Sequence, residues 1–469
     1  MADWKALDAY LDGWAAKNHI AGYSAYILGP DGPVYTHSSG ITNAEGTKHP
    51  DENTIFGIAS MSKSITALCA CILETEGRLR LDDPVTDYLP SFRMPGQPRD
   101  AVTIRHLCSH TTGMPPMEVL EWSSAMNSRG RRFGEEGEAL RASAPNAMDT
   151  IEEVIDYVAH CPHAPIGAPG ERYSYSNESF AILSYVIDKA AGMPLEQFMQ
   201  ERVFAPCGMT RSLLDNGFQQ SRELAAGNFT SLFTWEDGKQ NCDDGWTILP
   251  PFRGCAMVKS TSHDMAAYYR MLSNYGVHDG KQVVPHEAVE ALLGAAHPLS
   301  PIPQMCLGIN KRSRPGHIIC DHGGGLHGVS TKGALLLGEG YGFALLSNES
   351  EADLDAAMWA MENAVTGRPL DESHEWFHAS GREFSAPEML VGVYHGFEGL
   401  EDRVTVSAEG GLHAEKKGQR YPLVHCGETR FLAMTDGAVF AHLVFFIRDG
   451  KAWGVRYGTR VYTRAEENA

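Results

Sequence analysis

The chain of 469 residues has no cysteine pair in CxxC spacing; its 10 cysteines are scattered singly, apart from Cys69 and Cys71. Without such pairs neither a zinc knuckle nor a dithiol redox couple is indicated, and the thiols read as small buried apolar residues of a reducing compartment. No apolar stretch approaches the roughly 18 residues that span a bilayer. The first residues place Trp4, Leu7, Tyr10, Leu11 and Trp14 at helical spacing among Asp and Lys, without the basic-then-apolar order of a secretory signal. They predict an amphipathic first helix and a cytoplasmic protein with no membrane partner. No Lys/Arg run tracks a phosphate backbone and the formal net charge is -20, so nucleic acid is not an expected partner and the acidity reads as a well-solvated surface. A GxSxG elbow is missing, which counts against an α/β-hydrolase, and there is no solenoid repeat.

What is there is ordinary globular material, 43% hydrophobic and 21% charged, in a chain long enough for two or three folding units. Tyr23 to Leu28 and Val34 to Ser39 are β-rich runs around Gly-Pro-Asp-Gly-Pro, which is hairpin chemistry. From Ser60 to Glu76 the pattern turns small and apolar at helical spacing and closes on Gly77, predicting a buried helix. Residues from about 80 to 250 read as a helical subdomain with a helix from Glu178 to Ala191. Within it, an irregular polar stretch from about Glu118 to Asn146 is expected to form a lid. From Gly325 onward two antiparallel strands are joined at Gly338-Glu-Gly, and a helix follows from about Ala352 to Val365. Strands at both ends of a helical middle predict an α+β fold, an antiparallel sheet flanked by helices. The expected division is a catalytic domain over 1–368, a linker over 369–388 and a small antiparallel β-barrel over 389–469, the last from seven or eight β-rich runs beginning at Leu390.

Chemistry concentrates in three clusters. Ser60-Met-Ser-Lys63 puts a hydroxyl and an amine three residues apart at the start of the buried helix, on one face and in mutual reach. A serine hydroxyl is a poor nucleophile until an adjacent base or a desolvated lysine activates it. SxxK alone is a weak pattern, but the residues around Lys63 are almost all uncharged, so the lysine is expected to be buried and perturbed. Tyr173-Ser-Tyr175-Ser-Asn177 precedes the helix at Glu178, with Asn177 expected as its N-cap and Tyr175 as a proton shuttle. His322-Gly-Gly-Gly325 is a glycine run entering a strand, where backbone and substrate can approach and an N–H can face an oxyanion.

In this order and at these separations the clusters resemble the SxxK, YxN and HxG motifs of the penicillin-binding-protein and class C β-lactamase superfamily. Thr103-Ile-Arg-His-Leu-Cys-Ser-His-Thr-Thr-Gly-Met and Gly254-Cys-Ala-Met-Val-Lys-Ser-Thr-Ser-His-Asp-Met add to the resemblance, which covers about residues 15 to 365. It implies the β-lactamase fold, Ser60 as the acylated nucleophile, Lys63 and Tyr175 as shared general base and acid, and Asn177 on the substrate amide. It also implies an oxyanion hole from the N–H groups of Ser60 and Gly325, with His322 and Gly324 bordering the substrate. His322 stands where β-lactamases have lysine, which weakens recognition of a β-lactam carboxylate. The paired tyrosines before Asn177, His322-Gly-Gly-Gly-Leu-His-Gly and the C-terminal barrel are similar to the D-stereospecific aminopeptidase and D-amino-acid amidase branch, whose aminopeptidases carry two barrels where one fits here. The implied activity is hydrolysis of small peptides, amides or esters, D-residue substrates included, without cofactor or metal. An esterase or a peptide-cyclising acyltransferase uses the same constellation, and a non-catalytic binder is the rival from another class. The oligomeric state stays open.

His374-Glu-Trp-Phe-His378 matches HExxH, the zinc-peptidase pattern, but it falls in the expected linker with no long helix around it and no third ligand. His106, His110 and His327 are each candidates for a third catalytic member. His110 is expected to be structural, and His327 to line the pocket.

Overall fold

A computed structural model describes residues 3–127, 134–215, 229–243, 245–294, 297–298, 304–400, 402–435 and 437–465. Its central antiparallel sheet draws strands from both ends of the first 366 residues. In spatial order these are His297–Pro298, Gln304–Met305, Asn310–Arg314, His317–Leu326, Val329–Leu336, Tyr341–Ser347, Gly22–Gly29 and Gly32–Gly40. The two-residue side-chain period of a strand explains why Gly22–Gly29 is buried along its whole length. Ala25 and Ile27 face one layer with Phe343 and Leu345, where helices Trp4–Lys17 and Asp355–Thr366 contribute Leu7, Leu11, Met358 and Met361. Tyr26 and Leu28 face the other layer with Ala344 and Leu346, where helices Ser62–Thr75 and Ser262–Ser273 contribute Ile65, Leu68, Met265 and Leu272. Each fully buried leucine there contributes about 1.5–3 kcal/mol relative to exposure.

The hairpin and the buried helix form where the sequence places them, with one refinement: Ser60 sits in a 3-10 turn, Ala59–Met61, and the α-helix begins at Ser62. The stretch beginning at Gly325 is not one strand. His317–Leu326 ends on a turn at His327-Gly328, where Gly328 has φ 63, and Val329–Leu336 follows. The glycine run therefore lies inside a strand rather than ahead of one. The expected lid is helical rather than irregular: Val119–Asn127 and Gly134–Ser143 pair through a Trp122 Nε1–H donated to Ser143 Oγ at 3.0 Å. Residues 128–133 of that stretch lie outside the described residues. Ser176, not Asn177, caps helix Asn177–Ala191, because Ser176 Oγ accepts the Ser179 N–H at 3.1 Å.

Eight consecutive strands from Gly392–His395 to Arg460–Arg464 form a closed antiparallel barrel, sealed where Tyr394 pairs with Arg464. Tyr394, Val404, Leu443, Phe445 and Val455 fill it. The sequence pattern marks seven of these strands; the eighth, Arg460–Arg464, is short and carries two arginines in five residues. Among the described residues no helix is long and apolar enough to cross a membrane.

Candidate active site

The turn that carries Ser60 is built under strain. Ala59 has φ 44, a left-handed conformation that costs a non-glycine residue roughly 1–3 kcal/mol and clusters at functional sites. The turn is held by Ser62, whose Oγ donates to the Ala59 carbonyl at 2.6 Å and accepts the Val258 N–H at 3.2 Å. One helical turn on, Thr66 Oγ1 donates to the Gly254 carbonyl at 2.6 Å. The helix is thereby riveted to segment 253–258, which carries Cys255.

Lys63 is completely buried. Its Nζ donates to Ser60 Oγ at 2.9 Å, to the Cys255 carbonyl at 3.2 Å and to Cys255 Sγ at 2.9 Å, which occupies the three donors of an ammonium. Burial alone would lower the Lys63 pKa, but Cys255 and Tyr175, whose anionic forms it would pair with, outweigh it and hold the ammonium above the ordinary lysine value. Burial also pushes the Cys255 thiol up against the pull of Lys63. Cys255 Sγ in turn donates to Asn177 Oδ1 at 3.3 Å. Fixing that oxygen leaves the Asn177 amide nitrogen for the cavity, which both residues border.

Tyr175 is clamped from three directions. Its ring lies 4.8 Å from Lys63 Nζ, stacks on His110 at 4.2 Å and carries the Arg460 guanidinium at 4.4 Å. Its backbone is pinned as well, with Tyr175 N–H donated to the Thr459 carbonyl at 2.8 Å and Ser176 N–H to His110 Nδ1 at 3.0 Å. His110, itself at φ 56, is thus a positioning residue, and burial with Lys63 nearby keeps it well below the usual histidine range and neutral. Arg460 comes from the barrel's last strand and is held by Glu398 at 2.7 Å. Tyr175 therefore leans on the C-terminal barrel. No local pattern announces Arg460, and although Cys255 lies in the Gly254–Met265 segment that adds to the family resemblance, nothing in that segment marks its thiol as a partner of Lys63.

The glycine strand closes the other side. At Gly324 a Cβ would lie 2.2 Å from the Ile58 carbonyl oxygen and 2.5 Å from Thr331 Oγ1, so only glycine lets the strand press against the turn that carries Ser60. Gly325, with nothing within 4 Å of where its Cβ would be, faces the cavity. His322 is buried with its ring centroid 6.1 Å from that of Tyr175, and its Nδ1–H is donated to the Gly323 carbonyl at 2.5 Å. Burial, then Lys63, lowers its pKa to about 4, so this position is neutral where a lysine would be cationic.

Ser60, Tyr175, Asn177, Cys255, Gly325 and Arg460 border one cavity of about 360 Å³, with Leu120, Glu121 and Leu140 from the helical pair on its far wall. Of the residues the sequence motifs single out, Ser60, Tyr175, Asn177 and Gly325 border the cavity, Lys63 and His322 are buried beside Tyr175 without bordering it, and Gly324 acts through packing. The remaining histidines fall elsewhere. His106 closes a capping box with Thr103, and His327 lies 3.6 Å from Asp243 instead of lining the cavity. The HExxH segment is not helical. His374 is bound by Glu362, Arg312 and Asn363, while Glu375 pairs with His442 at 2.7 Å. No group of three or more potential metal-ligating side chains occurs among the described residues.

Comparison with known proteins places this geometry. Penicillin-binding protein 4* of Bacillus subtilis is 29% identical over 196 residues, 41% of this chain and 38% of its own length. Esterase EstB of Burkholderia gladioli is 31% identical over 207 residues, 43% of this chain and 49% of its own. The matches thus span about half or less of these curated relatives. The octameric penicillin-binding protein homologue of Pyrococcus abyssi shares the fold over 98% of this chain and 100% of its own, with a TM-score of 0.68 at 20% identity. A D-stereospecific amidohydrolase from Streptomyces sp. does so over 78% of this chain and 100% of its own, with a TM-score of 0.61 at 21% identity. The family model described as Beta-lactamase matches residues 7–367, and the chain belongs to that family.

Proposed function

We propose that the protein is a serine hydrolase that acylates Ser60 and cleaves amide, peptide or ester bonds of small substrates, with D-amino-acid peptides and amides as the favoured class. The observation that carries this reading is the 2.9 Å contact between Ser60 Oγ and the buried Lys63 Nζ, beside Tyr175, at the wall of an accessible cavity. On attack, Ser60 Oγ gives its proton to the phenolate oxygen of Tyr175, whose charge Lys63 compensates, and the resulting phenol hands that proton to the leaving group; water then gives a proton to the same oxygen as it attacks the acyl group, and this proton returns to Ser60 Oγ. The fixed ammonium lowers the cost of negative charge on Ser60 Oγ in a site shielded from water. Asn177 holds the substrate amide through the nitrogen that Cys255 leaves exposed. The N–H groups of Ser60 and Gly325 form the oxyanion hole. A neutral His322 supplies no charge for a substrate carboxylate, which favours amides and esters over β-lactams.

The D-preference draws on the likeness to the D-stereospecific amidohydrolase, and the ester alternative on the relative named an esterase. Matched D- and L-amino-acid amides and esters, with Ser60→Ala as blank, separate them. The expected result is Ser60-dependent turnover with D exceeding L. Equal D and L rates would reject the stereochemical part and keep the nucleophile, whereas turnover surviving in Ser60→Ala would reject the mechanism.

A further inference from the structure

His374 and Trp376 of the HExxH segment border a second cavity, of about 250 Å³, where helix Asp355–Thr366, the segment after it and the barrel meet. It shares no bordering residue with the cavity over Ser60. Trp359 of the helix and His442 of the barrel add to its wall. Each indole is braced by a stacked histidine, Trp359 by His374 at 5.5 Å and Trp376 by His442 at 4.8 Å, which fixes two flat aromatic surfaces. Several polar groups there satisfy one another. Arg312 is bound by Asp321 and Glu362 at 2.8 Å each, Lys332 is bound by Asp355, and burial keeps His374 below the usual histidine range. Tyr173 differs: it is 3% exposed and its hydroxyl makes no hydrogen bond among the described residues. Burial, then Tyr175, raises its pKa, so it stands at the cavity as an O–H donor. Arg456 of strand Lys451–Tyr457 borders the same space, 6% exposed. Burial holds its guanidinium below the ordinary arginine value, with Tyr173 opposing. Whatever its five donors touch, the net effect of its surroundings is to disfavour its charge.

We infer that this cavity binds a small aromatic carboxylate, its oxygens taken by the Arg456 guanidinium and the Tyr173 hydroxyl and its ring laid against Trp359 and Trp376. A carboxylate matches the planar fork of a guanidinium and has lone pairs left for a phenolic O–H. Asp321 and Asp355, the carboxylates that border the cavity, are already engaged by Arg312 and Lys332, so a cationic ligand would have to displace one of those pairs. A neutral ligand would leave the Arg456 charge as poorly supported as before. About 250 Å³ admits one ring with a short substituent. The assignment does not depend on the reading of Ser60 as nucleophile, yet the cavity adjoins both segments that hold Tyr175. Tyr173 stands two residues before it, and Thr459, which also borders the cavity and precedes Arg460, accepts the Tyr175 N–H at 2.8 Å.

Calorimetry on the full-length Ser60→Ala protein at neutral pH tests this without turnover, with benzoate and benzamide as probes of one shape and different charge. Benzoate is expected to bind about tenfold tighter or more, as a charge-assisted contact provides. Arg456→Gln in the same background should erase the difference, while Arg456→Lys, which keeps the charge and loses the fork, should retain part of it. Tyr173→Phe deletes a single oxygen and should weaken benzoate by about fivefold; it carries the test if thermal melting shows that Arg456→Gln does not fold. Equal affinities for the two probes, a benzoate preference that survives Arg456→Gln, unchanged benzoate affinity in Tyr173→Phe, or no benzoate binding up to about 10 mM would each overturn the site.

Discussion

Gly324→Ala perturbs the site without touching a reacting group. The new methyl would stand 2.2 Å from the Ile58 carbonyl oxygen, two residues before the nucleophile, and 2.5 Å from Thr331 Oγ1, which itself donates to that carbonyl at 3.1 Å. Restoring a carbon–oxygen separation of about 3.3 Å requires the strand and the nucleophile turn to part by about 1 Å. Overpacking of this kind costs about 1–3 kcal/mol of stability. A displacement of about 1 Å between the oxyanion donors and the nucleophile lowers the rate by about 100-fold. The assay is kcat/KM on an activated ester, read beside thermal unfolding, with Gly325→Ala as comparison; there the methyl meets nothing within 4 Å and stability should change by less than about 0.5 kcal/mol. A Gly324→Ala enzyme with wild-type stability and activity would refute the claim that strand and turn are held at contact distance by the missing side chain.

Lys63→Met removes a buried cation while keeping the length of the chain. Turnover should fall by at least about 100-fold while the melting temperature holds or rises, since a fully buried ammonium without a carboxylate partner is costly to fold around; a clear loss of stability would show that the lysine is structural. Arg460→Ala should lower kcat/KM by withdrawing the barrel's guanidinium from the Tyr175 ring and leaving Glu398 unpaired, with Arg460→Lys restoring part of it. Unchanged kinetics in both variants would separate barrel from catalysis. His322, lowered to about 4 by burial and then Lys63, binds its proton more weakly folded than unfolded, where the value is about 6.5. Its contribution is therefore full above about pH 6.5 and lost as pH falls towards 4, up to about 3 kcal/mol. His322→Gln should flatten stability across that window, as measured by denaturant unfolding at several pH values, and a slope identical to wild type would contradict it.

The sequence pattern singled out the residues that the fold gathers around Ser60 because they lie in local contexts. Ser60 and Lys63 are one helical turn apart, and Tyr175 with Asn177 stands at a helix start that alternating small and polar residues mark plainly. The sheet was legible for the same reason, since Tyr23 to Leu28 and Tyr341 to Ser347 are apolar enough to demand burial on both faces. Arg460 was not legible, because a short strand with two arginines looks like a surface turn until the barrel closes and brings it across 285 residues to Tyr175. Cys255 looked like core, and only the packing of its segment on the nucleophile helix reveals the thiol between Lys63 and Asn177. Glu121 fell within a polar stretch that reads as loop, although tertiary packing of Trp122 and Leu140 makes it helix. Ser176 took the cap from Asn177 because two adjacent residues both had capping chemistry, and the Ser179 N–H chose between them.

Everything rests on Ser60 becoming covalently acylated. An activated organophosphonate or acyl ester incubated with the enzyme, followed by peptide mass spectrometry, measures this directly. The account predicts one adduct, on the peptide bearing Ser60, formed in step with loss of activity and missing from Ser60→Ala. An adduct on another residue, or full inactivation with Ser60 unmodified, would contradict it.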